Sequence, residues 1–293
     1  MKYIDKSNPN SLAGKAFVDK WKIDNQNKIN LLASQGKKDD LWGEFPKKRV
    51  RDYLYIEQGE LCCYCGCELT KRTHQLVIEH HKLKSLEPQN QYPNMFDYDN
   101  LLLSCHGNKY EFYEVKNGDT WVSIASKPIS SFDVKGLKVM NPDIKKDGNE
   151  PQQGECLIVS PKKGKESHHC DNYRGEKDLS INPAKLPDCI DRFIYTAKLK
   201  DKEGEITPKA DDVEADEAVR NLNLNAPILI KKRAKIVKDA RSLLDDISSE
   251  IISQNATERQ EIIEIANEKI AGIKEFYVVF RAYLRDDFPE LFS

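Results

Sequence analysis

The chain has 293 residues, of which 39% are hydrophobic and 32% are charged, and its formal net charge is −2. This length allows one substantial hydrophobic core, with or without a helical extension. The near-zero charge argues against a protein that binds nucleic acid unaided, because affinity for phosphates comes mainly from lysine and arginine. No stretch approaches about 18 apolar residues and the first residues lack the apolar centre of a signal peptide, so we expect a cytoplasmic globular protein without a membrane span.

The first 45 residues contain turn-forming residues and a polar run rich in lysine and aspartate, and they predict either a docking arm or short helices. A longer helix is predicted to begin at Pro46, since proline suits the first turn of a helix. One face of this helix would carry Val50, Tyr53, Leu54 and Glu57, at spacings of three and four residues. Gly59 would end this helix and lead the chain into a group of cysteines.

Two short strands are predicted after these cysteines. Residues 76–81 include the β-branched Val77 and Ile78. Residues 101–104 form a second apolar run, and a loop rich in proline and asparagine separates the two. We therefore expect a small two-stranded unit directly after the cysteines.

The 64 residues between Cys105 and Cys170 are rich in glycine, asparagine, lysine and serine, with strand-like pieces at 120–124 and 155–160. A connection of this length without secondary structure is uncommon inside a compact domain. We interpret residues 106–169 as an inserted subdomain or flap.

The last third of the chain has helical periodicity. Apolar residues recur at three- and four-residue steps from Leu229 to Ile251 and again from Ile263 to Leu284, with a polar turn between the two series. They predict an antiparallel pair of amphipathic helices, packed on the chain's own domain or used to bind a partner. The chain thus divides into an N-terminal segment (1–45), a central domain (46–195) and a C-terminal helical region (196–293).

Eight cysteines in a chain without a secretion signal favour metal binding over disulfide bonds. Cys62 and Cys65 have the spacing of a zinc knuckle, in which a tight turn presents two thiolates to one ion. Cys105 comes at the second predicted strand and Cys170 comes after the insertion. Together with the knuckle pair, they would give the four ligands of a tetrahedral zinc. Ordinary reduced cysteines are the alternative interpretation. Two neighbouring cysteines are alternatives for the knuckle positions: Cys63 and Cys67.

Glu79 and His80 end the first predicted strand. A carboxylate can hold a hard divalent cation while an adjacent imidazole takes a proton from water. A cation beside a scissile phosphate stabilises the charge that develops on the leaving oxygen. An isolated Glu-His pair is usually surface decoration, but Lys84, Asn100 and Cys105 follow this pair in the chain. Together these residues favour a hydrolytic metal site.

Basic residues are concentrated near these motifs, before the first cysteines, after the histidines and before the last cysteine of the set. They predict either a local basic groove for nucleic acid or a solvated charged face. The residues concerned are Lys47, Lys48, Arg49, Arg51, Lys82, Lys84, Lys162, Lys163 and Lys165.

The succession CxxC, Glu-His, Asn-Leu-Leu-Leu-Ser-Cys and Cys-x-x-x-Arg-Gly resembles the HNH endonucleases with a ββα-metal fold and a four-cysteine zinc knuckle. More narrowly, it is similar to the PtuB-type HNH proteins of Septu and retron-associated anti-phage systems. The resemblance covers about residues 45–240 and is strongest over 61–105 and 169–193. It implies a mostly helical α+β fold with a ββα-metal core, a zinc site of four cysteines, an inserted subdomain and a C-terminal helical hairpin.

The resemblance also implies roles for individual residues. His80 would be the general base, Glu79 a ligand of the catalytic metal, and Asn100 the residue that braces the loop between the strands. Asn172 is the favoured third metal ligand and catalytic residue, followed by Asp171, which stands where the family usually has asparagine. Asn108 is a weaker candidate for the third metal ligand. The implied nucleic-acid contacts are Lys82, Lys84 and Arg174.

The activity implied is hydrolysis of phosphodiester bonds in DNA or RNA, with structural Zn²⁺ and catalytic Mg²⁺ or Mn²⁺. The resemblance further implies an anti-phage defence complex with a PtuA-like ATPase partner. The alternative is a catalytically inactive, zinc-stabilised adaptor that binds a partner protein or nucleic acid. The aspartate at position 171 and the insertion that divides the site keep this alternative open.

Overall fold

The computed structural model describes residues 1, 3–69, 76–84, 94–107, 112–117, 120–125, 139–140, 156–159, 168–196, 203–254, 264 and 279. Within these ranges the chain combines helices with short strands and is a mixed α/β protein. The α-helices are α1 (Pro9–Asp24), α2 (Gln26–Ser34), α3 (Lys38–Glu44), α4 (Lys47–Glu57), α5 (Asp171–Arg174), α6 (Val213–Asn221) and α7 (Pro227–Gln254). The strands are β1 (Leu76–His80), β2 (Leu101–Cys105), β3 (Phe112–Asn117), β4 (Thr120–Ala125), β5 (Val139–Met140), β6 (Cys156–Val159), β7 (Phe193–Tyr195) and β8 (Ile206–Pro208). Two 3₁₀ turns lie at Tyr98–Asn100 and Cys189–Arg192.

The N-terminal helices pack against the central part of the chain. Asn8 caps α1, because its side-chain oxygen accepts hydrogen bonds of 2.9 and 3.0 Å from two backbone N–H groups of the first turn. α1 lies against α4 and the turn that contains Tyr98, and Gly14 permits this approach: an added Cβ there would lie 2.3 Å from the Tyr98 hydroxyl oxygen. The short helices predicted for residues 1–45 are therefore confirmed, and they share the hydrophobic core with α4.

α4 begins directly after Pro46 and ends before Gly59, as predicted, with Val50 and Leu54 fully buried. Its last residue, Glu57, has no exposed side-chain surface. Three side chains donate hydrogen bonds to this buried carboxylate. These bonds stabilise the junction between α4, the start of α1 and the Tyr98 turn. The donors are Lys6 Nζ at 2.5 Å, Ser11 Oγ at 2.7 Å and the Tyr98 hydroxyl at 2.9 Å.

β1 and β2 form an antiparallel hairpin at the predicted positions, and its register pairs His80 with Leu101. Every residue of β2 is buried. Gln58, just after α4, donates from Nε2 to the carbonyl of Leu103 at 2.8 Å and accepts at Oε1 from the Leu103 N–H at 2.7 Å. The hairpin is thereby fixed to α4, and Glu79 and His80 lie at the end of β1.

The predicted insertion contains a separate four-stranded sheet in the order β4–β3–β6–β5, in which β5 and β6 are parallel. β4 and β6 coincide with the strand-like pieces predicted at 120–124 and 155–160. The sequence pattern does not predict β3, which carries charged residues, or β5, which has only two residues. The interpretation of residues 106–169 as an inserted subdomain or flap stays a prediction.

The turn at 222–226 joins α6 to α7 and connects distant parts of the chain. Asn225 exchanges two hydrogen bonds of 2.8 Å with the backbone of Ile206 in β8. Asn223 donates from Nδ2 to the carbonyl of His168 at 2.7 Å. The first predicted C-terminal helix is confirmed as α7, and the second lies outside the described residues except at two isolated positions. Within the described ranges, no helix is both long and apolar enough to cross a membrane.

Candidate functional site

A tight turn presents the first two cysteines of the cluster. The N–H of Cys62 donates to the carbonyl of Cys67 at 2.9 Å, and the N–H of Gly66 donates back to the carbonyl of Cys62 at 3.1 Å. Gly66 has φ +75°, a conformation that costs glycine little and other residues more. The local sequence therefore folds as a knuckle, with the side chains of Cys62 and Cys65 on the same side.

The four predicted zinc ligands are buried and their sulfur atoms converge. Sγ–Sγ distances are 3.9 Å for Cys62–Cys170 and 3.9 Å for Cys65–Cys105, and the other pairs among these four lie within 4.8 Å. Sulfurs around a tetrahedral zinc, with Zn–S distances of about 2.3 Å, lie about 3.8 Å from each other. The Cys105 N–H also donates to Sγ of Cys62 at 3.3 Å, which favours a thiolate at Cys62. The spacing and chemistry of the four side chains therefore fit zinc.

Cys67 lies beside this group, with Sγ within 4.8 Å of the sulfurs of Cys62, Cys65 and Cys105. Cys63, the other alternative for the knuckle, is buried outside the cluster, and its N–H donates to the carbonyl of Leu103 at 3.1 Å. Of the two alternatives that the sequence leaves open, only Cys67 thus belongs to a group of four potential ligands among the described residues.

His169 is a potential ligand that sequence reasoning misses. Its Nδ1 lies 3.2 Å from Sγ of Cys170 and 3.8 Å from Sγ of Cys105. Burial lowers the pKa of His169, which favours the neutral ring that can bind a metal. No spacing rule marks a histidine next to a cysteine, so its adjacency to Cys170 was the only available signal.

Glu79 is buried, and both hydrogen bonds that it accepts from described side chains end on Oε1. One comes from the Tyr64 hydroxyl at 3.2 Å and the other from Nη1 of Arg174. The guanidinium of Arg174 also donates to the carbonyls of His80 and His81, at 3.0 and 2.6 Å. Arg174 therefore joins α5 to the end of β1 and compensates the charge of Glu79.

This placement disagrees with the predicted nucleic-acid contact at Arg174. The residue is 1% exposed, and its guanidinium is used entirely inside the protein, so it cannot reach a phosphate at the surface. From the sequence alone, a charged residue shortly after a cysteine is expected at the surface. Its buried carboxylate partner is 95 residues away in the chain, so the local sequence does not reveal the pairing.

Asp171 rather than Asn172 lies near Glu79. Asp171 lines the same cavity as Glu79, whereas Nδ2 of Asn172 faces the carbonyl of Gly107 at 3.4 Å. Burial and the neighbouring carboxylate of Asp171 raise the pKa of Glu79, although Arg174 opposes this shift. The third candidate for this position, Asn108, lies outside the described residues.

His80 faces this cavity of about 240 Å³, which Trp42 and Lys84 also line. Its Nε2 lies 3.1 Å from the carbonyl of Met95, and since a carbonyl can only accept, Nε2 carries the proton and Nδ1 keeps its lone pair. The ring meets Trp42 edge-on, with centroids 4.7 Å apart. Burial lowers the pKa of His80 to about 4, so the ring is neutral at physiological pH.

Asn100 braces the loop that follows β1. Its Oδ1 accepts from the N–H of Lys82 at 2.7 Å, and its Nδ2 donates to the carbonyls of Lys82 and Asn94 at 3.1 and 3.0 Å. The backbone carbonyl of Asn100 also accepts from the N–H of His81 at 3.0 Å. These four bonds fix the chain direction immediately after His80.

The remaining predicted residues differ in exposure. Lys82 is exposed, whereas Lys84 is half-buried at the cavity with its Nζ 5.4 Å from the centre of the Trp42 ring. His81 is buried and its Nδ1 has no hydrogen-bond partner among the described residues. Unlike His80, it does not line the cavity that Glu79 and Asp171 share.

No protein-family model matches the chain. A segment of 60 residues is 45% identical to a protein of Vibrio cholerae serotype O1 biovar El Tor named "Retron Vc95 putative HNH endonuclease". The matched segment covers 20% of this chain and 27% of that protein, so the chain spans about a quarter of the relative's length. Over that stretch, the chain is similar to a retron protein named as an HNH endonuclease.

Proposed function

We propose that the chain is a metal-dependent HNH nuclease that hydrolyses phosphodiester bonds in DNA or RNA. The observation that carries this proposal is the shared cavity, where the carboxylates of Glu79 and Asp171 lie beside the neutral imidazole of His80. A hydrolase of phosphodiesters needs a base for water and positive charge near the phosphate. The similarity to the retron protein supports the same class of enzyme.

Two metals belong to the proposal. The sulfurs of Cys62, Cys65, Cys105 and Cys170 hold structural zinc, for which their mutual distances are suitable. Glu79 and Asp171 would hold catalytic Mg²⁺ or Mn²⁺. Burial and the neighbouring carboxylate of Asp171 raise the pKa of Glu79, and a bound cation would favour the charged form of both carboxylates. That cation would supply charge stabilisation at the phosphate.

His80 is the general base in this mechanism. The carbonyl of Met95 holds the proton on Nε2, so Nδ1 is the atom that takes a proton from the attacking water. Trp42 packs on the ring and Asn100 fixes the chain after it, which together limit the orientations of the imidazole. The lowered pKa keeps the ring in the neutral form that can accept a proton, and it also makes the imidazole a weaker base than a free histidine.

Lysines around the cavity would contact the phosphate backbone of the substrate. Lys47 and Lys84 each lie with Nζ 5.4 Å from the centre of the Trp42 ring, and neither forms an ion pair within the described residues. A second, larger cavity of about 610 Å³ next to them is lined by Lys47, Lys48 and Arg49. This basic surface, together with the exposed Lys82, is the path that we assign to the nucleic acid.

The biological setting is anti-phage defence, in a complex with an ATPase of the PtuA type. The resemblance over residues 45–240 supports this part of the proposal, and the name of the relative supports only the link to a retron. The net charge of −2 agrees with a nuclease that obtains part of its nucleic-acid affinity from a partner. The division of the chain at residues 45 and 195 belongs to the same proposal.

Cleavage of plasmid DNA and of tRNA, with and without the ATPase, tests the activity. We expect Mn²⁺ or Mg²⁺ to be required and His80→Ala to lower the rate by about 10²–10⁴-fold. His81→Ala is the matched control, because His81 is as buried as His80 and has the same pKa of about 4. Equal loss in both variants would indicate general destabilisation, and an active His80→Ala variant would remove His80 from the mechanism.

One contact favours the alternative of a zinc-stabilised adaptor that cuts nothing. Arg174 occupies Oε1 of Glu79 and so already neutralises the carboxylate that should bind the catalytic metal. A protein that binds oligonucleotide or ATPase without any metal-dependent cleavage would be this adaptor. Calorimetry with Mn²⁺ separates the two: the nuclease binds Mn²⁺ through Glu79 and Asp171, and the adaptor does not.

A further inference from the structure

The cysteine cluster contains two overlapping sets of four potential ligands. One consists of Cys62, Cys65, Cys67 and Cys105, and the other replaces two of these with His169 and Cys170. Within each set the ligand atoms all lie within 4.8 Å of each other, and all six side chains are buried. A single ion therefore has more sulfur ligands within reach than a tetrahedral site can use.

The two sets differ in how much of the chain they require. The first set lies entirely between residues 62 and 105, on the knuckle and β2. The second also needs His169 and Cys170, and 64 residues separate Cys170 from Cys105. Bringing Cys170 to the hairpin closes a longer stretch of chain than bringing Cys105 to Cys67 does, and the entropic cost of loop closure grows with the length of the loop.

The backbone at the distal ligands is also under constraint. Cys170 has φ +53° and ψ −135°, which a residue with a side chain rarely adopts. Gly107 has φ +56°, and an added Cβ there would lie 1.7 Å from the carbonyl oxygen of His169. The close approach of residues 168–170 to the end of β2 thus depends on a glycine.

Binding of Cys170 at the cluster has a consequence for the cavity. The next residue, Asp171, lies near Glu79, and Arg174 donates to Glu79 one helical turn later. The position of Cys170 therefore determines whether the carboxylate pair of the proposed active site is assembled.

We propose that Cys67 is a reserve zinc ligand, which takes the place of Cys170 when residues 168–174 leave the hairpin. In this exchange one thiolate replaces another: Cys67 gives up its proton, and Cys170 takes one up as its sulfur leaves the ion. The zinc stays bound by four sulfurs while Asp171 and Arg174 separate from Glu79. The ligand exchange stands on the cluster alone, and its effect on catalysis rests on the proposed nuclease function.

Gly107→Ala tests the exchange without altering any potential ligand. In the variant we expect about one zinc per chain and, after replacement by Co²⁺, the visible absorption of four-thiolate coordination. Adding Cys67→Ser to Gly107→Ala should leave three thiolates and shift that absorption toward coordination by three sulfurs and an oxygen, or accelerate loss of the ion to a chelator at least tenfold. Cys67→Ser alone should behave like the unaltered protein.

Gly36→Ala is the control for the glycine substitution, because Gly36 also has a positive φ but an added Cβ there meets nothing within 4 Å. Cys170→Ser, which removes the distal ligand directly, serves as the second variant and should retain four-thiolate cobalt only while Cys67 is present. Loss of zinc from Cys170→Ser despite Cys67, or unchanged spectra in the Cys67→Ser/Cys170→Ser double variant, would overturn the proposal. Cleavage assays test the nuclease proposal separately. If the unaltered protein does not cleave nucleic acid, the nuclease proposal is contradicted, but the proposed ligand exchange is not.

Discussion

Nη1 of Arg174 donates to Oε1 of Glu79 inside the protein, where the side chains are 0% and 5% exposed. Tyr64 adds a hydrogen bond to the same oxygen. A charge pair in this position is costly to form and more costly to break, since removal of one member leaves the other buried without a partner. The pair therefore makes α5 and β1 depend on each other.

Arg174→Met should consequently lower the free energy of unfolding by about 3–5 kcal/mol. Urea denaturation of the zinc-loaded protein measures this change. Arg220→Met is the matched control, because Arg220 is 67% exposed and pairs with Asp216 on the surface of α6. We expect a change of less than about 0.5 kcal/mol there. Similar stabilities for the two variants would contradict a structural role for the buried pair.

The lysines beside Trp42 should contribute to nucleic-acid binding through charge. In a cleavage-deficient His80→Ala background, Lys47→Ala and Lys84→Ala should each weaken binding and reduce the slope of log affinity against log salt by about 1. Fluorescence anisotropy with labelled oligonucleotides at several salt concentrations provides the slopes. Lys20→Ala, at an exposed position of α1 that pairs with Asp24, should leave the slope unchanged. A slope that responds equally to all three substitutions would argue against a defined path.

Two helical glycines should respond in opposite ways to alanine. Gly14→Ala places Cβ 2.3–2.7 Å from three atoms of the Tyr98 ring and hydroxyl, so we expect a loss of about 1–3 kcal/mol in the free energy of unfolding. Gly43→Ala in α3 meets nothing within 4 Å and should stabilise the protein by up to about 1 kcal/mol. Thermal and urea denaturation of both variants test the packing of α1, and a neutral Gly14→Ala would place α1 elsewhere.

Zinc content should distinguish cysteines inside and outside the cluster. Cys65 belongs to both potential ligand sets, so Cys65→Ser should lose zinc and unfold readily. Cys63→Ser changes an equally buried thiol outside the cluster and should retain about one zinc per chain. Elemental analysis of the purified variants measures the zinc content per chain. If the Cys65→Ser variant retains zinc, Cys65 is not a necessary ligand.

Local patterns allow much of this fold to be predicted from the sequence. Apolar spacing identifies α4 and α7, short β-branched or leucine runs identify β1 and β2, and the CxxC pair marks the knuckle. The convergence of Cys105 and Cys170 with the knuckle follows from the chemistry of zinc, because a tetrahedral ion needs four ligands. These features depend on neighbouring residues or on a count of ligands.

Features that depend on tertiary packing are not visible in the sequence. The choice between Asp171 and Asn172 depends on the direction in which α5 leaves Cys170, and the positive φ of Cys170 sets that direction. Trp42 reaches His80 only because α3 packs against the hairpin, so the sequence of residues 1–45 alone does not mark it as part of the cavity. The burial of Arg174 likewise depends on a partner from another element.

The two hydrogen bonds between Gln58 and the backbone of Leu103 have a consequence for how this protein meets other copies of itself. A two-stranded ribbon normally leaves a free edge, at which unpaired N–H and C=O groups can recruit a strand from another molecule. Here a side-chain amide copies the donor and acceptor of a third strand and fills the centre of that edge. The glutamine therefore protects the buried strand β2 from intermolecular pairing and aggregation.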